Sequence, residues 1–186
     1  MYKKAFGSFP SSADTYRAWG LLFDPDWPFL ENPRESRPMA NPLYYASLMG
    51  LPRTVEPLLE KGVDINAHGG RFDYAIRIAS LLGHQRIIRL LLETGADINA
   101  QGHKFCSALQ AASAEGHTET VRILLEAGSD INLRGGARYN TALGIATEEG
   151  HKKVVKLLLG EGADVNARGG EYGTALLMAS LLCHRP

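Results

Sequence analysis

Apolar side chains recur along this chain at two spacings, one nested inside the other. Over short windows they fall three and four residues apart, as at Ile87, Ile88, Leu91 and Leu92 and again at Val121, Leu124 and Leu125. That spacing marks a helix with one buried face. Over long windows whole phrases return. Leu-Leu-Glu-Lys-Gly-Val-Asp-Ile-Asn-Ala ends at Ala67, and related phrases end at Ala100, Leu133 and Ala167. Their aspartates are Asp64, Asp97, Asp130 and Asp164, steps of 33, 33 and 34 residues. A Gly-His pair keeps the same step at Gly83-His84, Gly116-His117 and Gly150-His151. So does a third phrase, seen in Ser107-Ala-Leu-Gln-Ala-Ala and Thr141-Ala-Leu-Gly-Ile-Ala. Three phrases locked to one step define a repeated structural unit.

Each unit predicts two short helices and a turn. The first helix starts at an Asn, Ser or Thr suited to an N-cap and ends at a glycine. Small residues on it, such as Ala79-Ser80, Ala112-Ser113 and Ala146-Thr147, let neighbouring helices approach closely. The second helix carries the apolar stripe and ends at the Gly of Gly-Ala-Asp. Pro57 falls inside the second helix of the first unit, which should therefore start late or bend. The Asp-Ile-Asn-Ala stretch reads as extended and leads through Gly-Gly into a hairpin-like turn. The longer step puts an extra residue in the turn Arg134–Asn140, whose tip should protrude.

The step of 33 residues with its TPLH-like, GH and GADxN phrases resembles ankyrin repeats over residues 40–184. Departures from the family pattern are Gly at 69, 102, 135 and 169 and an aromatic at Phe72, Phe105, Tyr139 and Tyr172. This variant is similar to repeats in long ankyrin proteins of filamentous fungi. The resemblance implies an all-α, ankyrin-type helix-turn-helix solenoid with hairpin turns. Residues 41–186 would form the array, four full repeats plus the first helix of a fifth. Residues 1–40 differ in kind, since eight of nine prolines and both tryptophans lie within residues 1–57. Ser12–Phe23 has Tyr16, Trp19, Leu22 and Phe23 at helical spacing, so residues 1–40 read as a tail, an N-terminal helical cap and a Pro-rich loop. At the other end Leu176, Leu177, Met178, Leu181 and Leu182 form an apolar helix with no second helix to cover it. The chain thus reads as a piece of a longer array, with self-association through that uncapped helix as the alternative.

Composition adds boundaries. Lys plus Arg and Asp plus Glu number 20 each, so no global field draws in nucleic acid, a membrane or an acidic substrate. The two cysteines, Cys106 and Cys183, lie far apart and form no CxxC, which suits free thiols in a reducing, intracellular compartment, cytoplasmic or nuclear. No apolar run reaches transmembrane length. The recurring His84, His117, His151 and His184 fail as a metal site. Stacked units set equivalent positions about 10 Å apart, whereas ligands of one metal must lie within about 4 Å. Hydrogen bonding between loops accounts for them better. Glu148-Glu149 are adjacent on a helix and do not face each other, so they make no acid–base pair. The Gly-Gly pairs are not followed by Lys-Ser/Thr, so no phosphate loop is present. No enzyme and no cofactor is expected. Arg86, Arg89, Arg122, Lys152, Lys153 and Lys156 on the second helices are interleaved with glutamates and lack exposed aromatics, as a solvated face would be.

What remains is a surface. Ankyrin-like stacks bind through the concave side, formed by the first helices and the turn tips. Carried over, this implies a protein partner held by Tyr45, Leu48, Met49, Ile78, Leu81, Leu82, Ala111, Glu115, Ile145, Glu148, Glu149 and Met178, with Arg71, Lys104 and Arg138 at the tips. The helical part is apolar in its first two units and acidic from Glu115 onward. The function expected is a non-enzymatic protein-interaction module. The alternative is a structural or sensor segment of a larger multidomain protein, without a partner of its own.

Overall fold

The computed structural model describes residues 41–70, 72–102, 107–135, 141–167 and 174. Among them eight helices follow one another: α1 (Pro42–Leu48), α2 (Pro52–Glu60), α3 (Ala75–Leu81), α4 (Gln85–Glu93), α5 (Ala108–Ala114), α6 (Thr118–Glu126), α7 (Ala142–Glu148) and α8 (Lys152–Gly160). No strand occurs among the described residues. The architecture is an all-α solenoid of paired helices.

Local chemistry sets the helix limits. Asn41, Ser107 and Thr141 cap α1, α5 and α7, each side-chain oxygen accepting from the amide three residues on. Such caps contribute about 1 kcal/mol each. Pro42 and Pro52 stand in the first turns of α1 and α2, where the missing amide proton costs nothing. Pro57 does not delay α2, which starts at Pro52 and continues through it to Glu60. Val55 N still donates to Leu51 O at 3.1 Å and Lys61 N to Pro57 O at 3.2 Å, so helix bonds frame the proline on both sides.

The helices form two layers. α1, α3, α5 and α7 lie side by side in the inner layer, and each packs on the outer helix of its own unit. Inner helices meet one another more extensively than outer ones do. The reason is a row of small side chains, Ala46, Ala79, Ala112 and Ala146, each 0% exposed. Between the layers runs one continuous core that includes Leu43, Val55, Ile88, Leu91, Leu109, Leu124, Leu143 and Leu158. Each such side chain contributes about 1.5–3 kcal/mol. Among the described residues each helix packs chiefly on helices of its own and adjacent units, so stability builds along the stack by nearest-neighbour terms.

The Asp-Ile-Asn-Ala stretch is a tight turn rather than an extended segment. Asp64 Oδ1 accepts from Asn66 N at 3.0 Å while Ala67 N donates to Asp64 O at 3.4 Å. The short carboxylate bonds its own backbone two residues on and bends the chain there. The asparagines then reach forward. Asn66, Asn99 and Asn132 accept through Oδ1 from the amides of Asp97, Asp130 and Asp164 at 2.9, 3.0 and 2.8 Å, tying each turn to the next. In the second unit Gly69 N donates to Asp73 O at 2.8 Å and closes the tip. The cap helix and Pro-rich loop of residues 1–40, the tip at 136–140 and the first helix of a fifth unit lie outside the described residues.

Candidate functional site: the inner-helix ridge

Every inner helix ends at a glycine, and a histidine follows it from the second unit onward. Those histidines reach back one unit. His117 Nε2 lies 3.0 Å from Leu81 O, and His151 Nε2 lies 2.8 Å from Ala114 O. His84 bonds the Leu48 carbonyl in the same way. The His151 ring sits against Gly116, whose φ is +70° and where a Cβ would lie 2.6 Å from Nδ1. A side chain there would both strain the backbone and strike the ring. Burial pushes the His84 pKa below the usual histidine value, outweighing its bond to the Leu48 carbonyl, which raises it, and His117 lowers it a little further. The histidines thus act as braces, each holding the last carbonyls of the preceding inner helix.

What those braces hold is a ridge of helix ends. Met49, Leu82, Glu115 and Glu149 are the C-cap residues of α1, α3, α5 and α7. Leu48, Leu81, Ala114 and Glu148 precede them and are half-buried. Both columns change character at the same place, from apolar in the first two units to polar or small in the next two. Leu82 is 41% exposed, and Glu115 and Glu149 face solvent. Carboxylates at helix C-termini oppose the helix dipole, at about 0.3–1 kcal/mol each. Glu115 and Glu149 are therefore not explained by helix stability.

Four residues expected on this face are not on it. Tyr45, Ile78, Ala111 and Ile145 are each 1% exposed. Mid-helix positions are covered because the inner helices lie so close together, and only their ends emerge. Tyr45 and Ile78 join Tyr44 in a small second core, against which Leu48, Met49, Phe72 and Leu81 pack. The Tyr44 and Tyr45 rings meet edge to face at 5.5 Å. They support the apolar half of the ridge from beneath. Arg71, Lys104, Arg138 and Met178 lie outside the described residues.

The structure also gathers residues that the sequence reading passed over. Tyr44, Arg77, Gln110 and Gly144 hold equivalent places in the four inner helices. The first three side chains each reach the following unit's turn. Tyr44 Oη accepts from Phe72 N at 3.3 Å, and Gln110 Nε2 donates to Leu133 O at 3.1 Å. The Arg77 guanidinium lies under Gly102 so closely that any side chain there would collide with it. Arg77 also pairs with Asp73, which has φ +64° and is joined by His68 Nε2 at 3.0 Å. The signal was a lone charge inside the apolar run Ala75-Ile-Arg-Ile-Ala-Ser.

On the outer layer Arg86 pairs with Glu56 at 2.7 Å and Arg122 with Glu119 at 3.5 Å. Such exposed pairs contribute little to stability. Among the described residues no group of three or more His, Cys, Asp or Glu could hold a metal ion. Among them, too, no helix is long and apolar enough to cross a membrane.

The family profile described as "Ankyrin repeats (3 copies)" matches residues 43–135 and again residues 74–169. No curated protein matches the chain at significant similarity. Ankyrin repeats are generally protein–protein interaction modules and typically carry no enzymatic activity. With two overlapping matches that span the described helices and a structure that repeats with the same step, this chain belongs to the ankyrin-repeat family.

Proposed function

We propose that the array is a protein-interaction module that engages a protein partner through the ridge of inner-helix ends. The observation that carries this reading is the contrast between what stays constant and what changes. Alanines, histidine braces and asparagine ties recur from unit to unit, whereas the C-cap positions of the ridge read Met49, Leu82, Glu115 and Glu149. A scaffold that repeats while its outward positions vary suits specific recognition, since specificity lives in the site rather than in the fold. Leu82 supports the reading as well, being one of only three large apolar side chains exposed among the described residues.

A pull-down from native cell extract tests it with three folded forms of the chain: wild type, Leu82→Asp, and Lys156→Glu on the outer layer. A protein kept by wild type and Lys156→Glu but lost by Leu82→Asp is the expected result. Retention by all three forms would move the site off the ridge.

A further inference from the structure

The ridge has a direction. Its C-cap column runs apolar, apolar, acidic, acidic through Met49, Leu82, Glu115 and Glu149, and the column beside it begins with Leu48 and Leu81. The change falls between the second and third units in both columns. Resting on the ridge reading above, we propose that the partner is a bipartite peptide segment. Its apolar side chains seat over Met49 and Leu82, and its Lys or Arg side chains lie over Glu115 and Glu149.

Two physical arguments converge on this chemistry. At the apolar end Leu48, Met49 and Leu81 pack on the small core of Tyr44, Tyr45 and Ile78, so an incoming side chain meets a packed floor beside Leu82. At the acidic end the carboxylates of Glu115 and Glu149 stand at the negative ends of α5 and α7, so charge and helix dipole act together on a cation. Neither glutamate forms an ion pair among the described residues. An acidic or wholly apolar segment would leave this half of the ridge unmatched.

Geometry fixes the spacing. Neighbouring helices lie about 10 Å apart, so Glu149 stands about 20 Å along the stack from Leu82. A segment in extended conformation covers that span in about six residues, and a helical one in about thirteen. The order is fixed too, since reversing the peptide would set its cations over Leu82.

The experiment uses the full chain. A phage-displayed random peptide library is selected on it, and the enriched peptides are synthesised and titrated at low and high salt against wild type, Leu82→Asp and the double variant Glu115→Lys, Glu149→Lys. The double variant relieves two unfavourable dipole contacts, so it keeps its fold, which circular dichroism checks. Enriched peptides are expected to share an apolar pair set apart from a Lys/Arg cluster. Their affinity should drop at least tenfold on charge reversal, and their salt dependence should vanish with it. Peptides without the basic cluster, affinity unchanged by charge reversal, or a library that yields no binder would each overturn the proposal. Loss with Leu82→Asp but not with charge reversal leaves the ridge standing and removes its bipartite partner. Acidic peptides indifferent to all three ridge substitutions would place binding on the lysines of α8 and overturn both readings.

Discussion

Arg77 Nη1 stands 2.6 Å from Asp73 Oδ2, and the two side chains are 1% and 4% exposed. A carboxylate and a guanidinium so deep in the tip of the second unit are held by each other. Replacing Arg77 by Met should therefore cost about 3–5 kcal/mol, since it leaves Asp73 buried without its cation. Adding Asp73→Gly should recover much of that loss, for it removes the stranded charge and suits the positive φ. Urea unfolding of the single and double variants measures both steps.

The His84 brace makes stability depend on pH. Burial holds its folded pKa below the ordinary value of about 6.5. The unfolded chain then binds the proton first as pH falls. Stability is thus fully present above the unfolded pKa and drains away as pH drops from there to the folded one. The melting temperature should fall between neutral and mildly acidic pH, with a shallower fall in His84→Gln. An equal fall in both proteins would assign the effect to other groups.

Two glycines of like backbone should respond differently to a methyl group. Gly128 has φ +87° with nothing within 4 Å of an added Cβ, so Gly128→Ala should cost only about 1–2 kcal/mol of left-handed strain. Gly116→Ala adds a collision with the His151 ring and should cost about 1–3 kcal/mol more. Trimming the ring in Gly116→Ala, His151→Ala should bring the added cost of the methyl group close to the Gly128 value, read as a double-mutant cycle.

The hydroxyls of Ser80 and Ser113 are buried and find no hydrogen-bond partner among the described residues. At the matching place Thr147 Oγ1 donates to Leu143 O at 2.7 Å. Ser80→Ala should stabilise the protein by about 1 kcal/mol, from the lost desolvation cost and from better helix propensity. Thr147→Ala should not, and thermal melts of the two side by side decide the point.

Much of this was legible in the sequence because recurrence is itself a signal. The step between Asp64 and Asp97 marked the unit, and the small pair Ala79-Ser80 marked close helix packing. The backbone of each helix end was less visible. The Asp-Ile-Asn-Ala stretch looked extended because its β-branched centre suits a strand, yet Asp64 bends it through its own carboxylate. Which of the expected site positions reach the surface was only half legible for a similar reason. Leu82 and Glu149 precede a helix-ending glycine, so their emergence follows from a local cue. Ile78 and Ile145 are covered by their neighbours, and how close two helices lie is a property of the stack. Arg77 escaped notice because it belongs to what differs between units, where recurrence offers no guide.

The column Tyr44, Arg77, Gln110 and Gly144 has a last consequence. Judged by their common phrases the four units look interchangeable, yet Tyr44, Arg77 and Gln110 each meet the turn after them in a different way. Arg77 requires the bare backbone at Gly102, while Tyr44 requires the amide of Phe72. Exchanging the second and third units would leave a guanidinium facing a turn shaped for an amide side chain. The interior thus differs from one junction to the next, and exchanging two copies would break particular contacts even where the common phrases match.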